Sequence, residues 1–342
     1  VSCWITNAAL AIGLVGYLGK VLPGLDAVSP VLLATALIWL FVGVNLLGVR
    51  TGGGVQIVTT GLKLLPMLFI LGLGAWLLLT EPSVYARHTP TTPITLEALM
   101  AASTIALFAM LGIESAAVPA GRVRDPEKNI PRSTIFGTLL MAVIYIGVSA
   151  MAMLLLEQEQ LAQSSAPFAD LLDQFVGAGN GRLLSVFVVI SGLGALNGWT
   201  LLVSELTASM GRHGFLPQSV RRLNSRGAPW IALASTAALA TVMVLMNYSK
   251  SMVDGFTFLS QVVTAANLPL YLLCAIALVV LTRRGRRKLP ASLFVLGIFG
   301  TVYVVFAFVG LGREPFVWSL VLGAAGLPLY WFMRRRGASE LP

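Results

Sequence analysis

Ten long apolar runs, separated by short stretches of Gly, Pro, Ser and charged residues, dominate the sequence. They cover roughly residues 2–22, 30–49, 55–79, 96–118, 133–155, 183–209, 229–247, 254–282, 290–310 and 315–333. A bilayer-spanning helix needs about 20 mainly apolar residues, and every run is close to that length or beyond it. A membrane β-strand needs only about ten residues and alternates polar with apolar, a pattern not found here. The runs predict an all-α polytopic membrane protein, a single transmembrane domain over residues 1–342. Lys63 and Glu97 blur the ends of the third and fourth runs. Composition closes the alternative: 11% of residues are charged, against about 25% in soluble domains. So few charges cannot cover a water-facing surface, which excludes a soluble enzyme, a disordered tail and a coiled coil.

The net charge of +9 would suggest nucleic acid in a soluble protein. Its placement removes that reading. Alternate loops hold Arg50, then Arg122, Arg124, Lys128 and Arg132, then Arg212, Arg221, Arg222 and Arg226, then the 283–288 cluster, then Arg334, Arg335 and Arg336, together 17 of the 23 Lys and Arg. The opposite loops hold Lys20, Arg87, Arg182, Lys250 and Arg313 with most of the acids, among them Asp26, Glu157, Asp170, Asp254 and Glu314. Basic loops stay inside, so the arginine-rich side is expected to be cytoplasmic. Ten spans place both ends on that side, which puts the C-terminus in the cytoplasm of a multi-pass inner-membrane protein. The charge is a topology signal spread over many loops and no nucleic-acid patch.

Polar residues at membrane depth mark the candidate chemistry. Glu114, in LFAMLGIESAAVPAG, falls inside the fourth run. An ionised carboxylate in hydrocarbon costs several kcal/mol, so such a group faces a cavity or a partner and often serves as an ion or proton site. Gly112, Ser115 and Pro119 around it weaken a regular helix, and a broken helix exposes backbone groups to a cavity. An inner arginine pairing with Glu114 is the bland alternative. Glu205 is a second buried-carboxylate candidate, for which a bridge to Arg212 or snorkelling is explanation enough. Trp199, in ALNGWTLL, lies too deep for the interfacial belt. It is either a stacking wall for a cation or alkyl chain or a packing residue. Cys3, Asn7 and Leu10 share a helix face by their spacing. Asn7 lines a cavity or bonds another helix. Gly13, Gly16 and Gly19 read as close-packing positions. Arg124, Asp125 and Arg132 suit an inner gate or simple topology signalling.

Several chemistries lack their signatures. His88 and His213 sit in loops, and neither HExxH nor a G-x-S-x-G elbow occurs. RTGGGVQ (50–56) lacks the Lys-Ser/Thr ending of a phosphate loop. Cys3 and Cys274 form neither a disulfide framework nor metal-ligand spacing. The expectation is no metal, no cofactor and no catalysis.

The stretch LFAMLGIESAAVPAGRVRDPEKNIPRSTIFG, followed by SAPFADLL, ALNGWTLL, GRHGFLP and RGAPW, resembles the amino acid–polyamine–organocation (APC) permease superfamily. It is most similar to the branch of basic amino acid and diamine antiporters, along nearly the whole chain. Such permeases carry twelve helices in a LeuT-like bundle of two five-helix inverted repeats plus two. By this resemblance the chain starts at the family's third helix. It is expected to be N-terminally incomplete, an inverted-repeat bundle lacking its first two helices with about ten left. The missing Gly-rich first helix would cradle the substrate backbone, so the chain by itself is expected to be inactive and poorly stable.

The resemblance also assigns residues. Phe108 matches an aromatic gate that is usually Trp, Leu111 an apolar cavity position, and Glu114 a glutamate of gating and proton response. Trp199 matches a Trp that stacks on the substrate side chain, and Cys3 and Asn7 match contacts to its polar end. Two departures bear on the extracytoplasmic gate and substrate range. Leu270 stands where arginine/agmatine exchangers carry Tyr, with Tyr271 beside it, and Val262 replaces a hydroxyl residue. The implied function is secondary active transport of amino acids or related amines by alternating access, as exchanger or proton-coupled symporter. The implied partners are the small-molecule substrate, protons, the lipid bilayer and a second copy in a homodimer. The rival is a non-transporting permease-like sensor or degenerate fragment. A single deep carboxylate suits a diamine, arginine or a proton equally.

Overall fold

The computed structural model describes residues 2–48, 53–86, 93–114, 123–247, 249–283 and 291–338. Within them the chain forms twelve α-helices: α1 (Ser2–Val21), α2 (Pro30–Leu46), α3 (Gly53–Thr80), α4 (Leu96–Met110), α5 (Pro126–Leu155), α6 (Gln158–Gln163), α7 (Pro167–Phe175), α8 (Asn180–Arg212), α9 (Trp230–Met246), α10 (Met252–Arg283), α11 (Ala291–Gly310) and α12 (Arg313–Ala338). Seven are long and apolar enough to cross a membrane, and α2, α4 and α9 are apolar but shorter. Residues 50–52, His88, Ser115, Pro119, Arg122 and the 284–288 cluster lie outside the described residues.

Local chemistry sets several ends. Helix α5 begins at Pro126, well before the expected start at 133, because Pro at the first helical position gives up no bond. Asp125 ahead of it adopts a left-handed φ of 46°. The start of α8 is capped from outside: Asp173 Oδ1 accepts the N–H groups of Gly179 and Gly181, each at 2.8 Å. Helix α4 departs most from expectation. The apolar run continues to 118, yet the helix stops at Met110, with Leu111 extended and Gly112 at φ 101°. Only glycine adopts that backbone cheaply. At 15 residues, α4 reaches about 22 Å, short of a hydrocarbon core of about 30 Å.

Helix α1 is the centre of the bundle. Ile5, Ala8, Ala9, Ala11, Ile12, Leu14 and Val15 are buried in one core with residues of α2, α8, α9 and α10. Small side chains let backbones approach where water supplies no driving force between helices. A Cβ on Gly16 would stand 2.5 Å from the Ser165 carbonyl oxygen, and one on Gly192 would stand 2.2 Å from Leu14 Cδ2. A second core joins α3, α5, α7 and α8 around Ile70, Leu77, Ile144, Val148, Leu155, Leu171 and Leu184.

The exterior is as apolar as the core. On α5 the exposed residues Phe136, Leu139, Val143 and Ile146 recur at helical spacing, opposite the buried Ile144 and Val148. A patch of that extent would aggregate in water and is at home in acyl chains. Two ion pairs tie the acidic-side loops: Lys20 to Asp170 at 2.8 Å and Lys250 to Glu314 at 3.5 Å.

Candidate functional site

The break after α4 organises the site. Where the helix stops, Glu114 folds back on it. Its Oε2 accepts the Gly112 N–H at 2.9 Å and the Tyr271 hydroxyl at 2.8 Å. One carboxylate oxygen thus stabilises the left-handed turn and also binds α4 to α10. Glu114 is exposed, where the sequence places it within a helical span.

Trp199 of α8 lies against this turn. A Cβ on Gly112 would stand 3.1 Å from Trp199 Cζ2 and 3.4 Å from Cη2. The glycine leaves this space open, and a side chain there would have to push the indole back by some tenths of an ångström. Leu111, Gly112 and Trp199 line a cavity of about 370 Å³ with Met110, Ile113 and the α5 residues Thr134, Thr138, Met141 and Tyr145. The structure therefore brings Leu111 and Trp199 to this cavity, with Glu114 held at the same break but not among the lining residues.

The other expected site residues stand farther out. Phe108 meets Phe256 edge-on, with ring centroids 5.9 Å apart, and packs on the α1 core rather than lining the cavity. Cys3 is half-buried and free. Its neighbour Ser2 donates to Asn267 Oδ1 on α10 at 3.2 Å, one turn before Tyr271. Asn7 is 5% exposed, and its Oδ1 finds no hydrogen-bond partner. Cys3 and Asn7 are not lining residues of the Trp199 cavity.

The structure also places Glu205, the inner-loop charges and Tyr271. Glu205 is exposed and forms no ion pair with Arg212 among the described residues, which leaves the snorkelling alternative. The expected gate residues Arg124, Asp125 and Arg132 form no ion pair with one another. Tyr271 supplies the hydroxyl to the carboxylate, while Leu270 beside it is exposed. No group of His, Cys, Asp or Glu able to hold a metal occurs among the described residues.

A broken helix and an indole packed over it border a cavity, with a carboxylate folded onto the same break. Residues 1–329 match the family described as Amino acid permease. The chain belongs to that family. It is a multi-pass membrane transporter of amino acids or related amines rather than an enzyme. The putrescine transporter PotE of Haemophilus influenzae is 31% identical over 344 residues, which are 97% of this chain and 77% of the relative. PotE of Escherichia coli K12 is 28% identical over 347 residues, again 77% of its length. The cadaverine/lysine antiporter of Escherichia coli K12 is 29% identical over 251 residues, 71% of this permease and 56% of the relative.

Proposed function

We propose that this permease carries short aliphatic diamines and basic amino acids across the cytoplasmic membrane by exchange, with its arginine-rich side in the cytoplasm. The names of its relatives support the substrate class: a putrescine transporter and a cadaverine/lysine antiporter. One observation carries the reading, the shared Oε2 of Glu114. With substrate absent, the carboxylate is held by Gly112 and Tyr271. An arriving ammonium competes for the same group with a charge-assisted bond, stronger than either neutral donor. Binding then loosens the tie between α4 and α10, and the two move as a gate in alternating access. A proton on Glu114 weakens its pull on the ammonium and aids release. Trp199 holds the substrate's alkyl chain or second ammonium against its ring face, with Leu111 as the apolar flank. A homodimer is part of this reading only through the family resemblance.

Counterflow tests it. The full-length protein in liposomes loaded with putrescine should accumulate labelled ornithine or lysine without a proton gradient, and empty liposomes should not. Uptake that requires the gradient and ignores the internal amine would replace exchange by symport. Absence of both would return the chain to the non-transporting reading.

A further inference from the structure

The Trp199 indole lies half-exposed against the α4 break. Its Cζ2 lies 3.1 Å from where a Cβ on Gly112 would stand, so the seat of the ring on the break is sensitive to the rotation of α8. A rotation of about 10° would carry a ring edge roughly 7 Å from the helix axis through about 1 Å. Apolar packing specifies such an angle poorly. Helix α8 meets α1 through contacts such as Leu14 on Gly192, and lipid provides no hydrophobic force to orient it. Its own hydroxyls do not help. Ser185, Thr200, Ser204 and Thr207 all donate to carbonyls of α8 itself.

One amide pair does reach across. Asn45, 4% exposed near the end of α2, donates through Nδ2 to Asn197 Oδ1 at 2.9 Å and to its own helix at the Phe41 carbonyl at 2.7 Å. Asn197 precedes Trp199 by two residues, about 200° around an α-helix. The amide therefore points toward α2 while the indole points the opposite way, toward the α4 break. The α2 end is itself anchored. Asn224 Nδ2 donates to the Leu46 carbonyl at 2.9 Å, and Asn224 Oδ1 accepts the N–H groups of Arg226 and Ala228. These bonds close a circuit from α8, through the segment that follows it, to α2 and back to α8.

We propose that Asn197, held by Asn45, is a positioning residue for Trp199: the amide pair sets the rotation of α8 that lays the indole on the α4 break, and substrate affinity depends on it. The inference rests on Trp199 contacting the substrate. The test uses the full-length transporter in liposomes and reads KM and maximal counterflow rate separately. Asn197→Leu and Asn45→Leu should each raise KM for putrescine about threefold or more, the scale of one interhelical hydrogen bond, with maximal rate changed less. The double variant should be no worse than either single one. In a Trp199→Ala background neither substitution should move KM further, which a general packing defect would not reproduce. Asn197→Ser, keeping a short acceptor, should recover part of the loss if the leucine variants assemble poorly. An unchanged KM in both leucine variants, or full additivity with Trp199→Ala, overturns the positioning role. An unchanged KM in Trp199→Ala alone overturns the substrate contact instead.

Discussion

Replacing Gly112 by alanine adds one methyl at the point where α4, Glu114 and Trp199 meet. The first cost is conformational. At φ 101° an L-residue pays roughly 1–2 kcal/mol for the left-handed backbone. The second is steric. The new Cβ would approach Trp199 Cζ2 to 3.1 Å, some tenths of an ångström inside a relaxed carbon–carbon contact of about 3.5 Å. The indole is half-exposed and yields, so this adds at most about 1 kcal/mol at the low end of overpacking costs. The sum is roughly 1–3 kcal/mol. Either route of relief damages the site. Returning to a right-handed backbone breaks the Gly112 N–H bond to Glu114, and shifting the ring moves the stacking wall. If the cost falls on the substrate-competent state, affinity drops between about fivefold and a hundredfold. Gly198→Ala is the control: its Cβ would meet nothing within 4 Å, and in a helix interior alanine should stabilise by up to about 1 kcal/mol. Purified variants would be compared by thermal unfolding in detergent and by putrescine titration calorimetry. Equal affinity and midpoint for Gly112→Ala and the unaltered protein would refute the left-handed break.

Tyr271→Phe removes one of two donors to an exposed carboxylate, worth about 1 kcal/mol. Putrescine counterflow should show KM changed about fivefold, and a Tyr at position 270 in that background should not restore it. Glu114→Gln should flatten the dependence of uptake on pH, and an unaltered pH profile would remove its proton role. Asp173→Asn leaves one oxygen to cap α8 but removes the charge near the helix N-terminus, so thermal stability should fall by about 0.5–1 kcal/mol with the KM unchanged. Lys20→Ala breaks a partly exposed ion pair, and the midpoint should move by less than about 1 kcal/mol equivalent.

Hydrophobic length made the ten apolar helices legible, because the need for about 20 apolar residues leaves few alternatives. It failed where length was the wrong signal. Helices α6 and α7, six and nine residues long, lie in the stretch read as loop between 155 and 183, since neither is long enough to stand out. The stop of α4 was half visible. Gly112 weakens the helix in any reading of the sequence, but hydropathy runs on through Ile113 and cannot show that a backbone has turned left-handed. At the site, Glu114 and Trp199 stood out because a carboxylate and an indole at membrane depth are costly or unusual. Their partners were hidden because they come from distant sequence. Tyr271 lies 157 residues from Glu114 and Asn45 lies 152 from Asn197, distances that only the folded bundle closes. That Tyr271 and not its neighbour Leu270 meets the carboxylate has the same origin. A one-residue step turns a side chain by about 100°, and only the packing of α10 decides which of the two faces the break.

The account depends on an amine resting between Glu114 and Trp199. Titration calorimetry of putrescine into the purified full-length protein and into Glu114→Gln and Trp199→Ala tests that most directly. The account predicts measurable binding to the unaltered protein and a several-fold or greater loss in each variant. Equal affinity in all three proteins would contradict it and place the substrate elsewhere in the bundle.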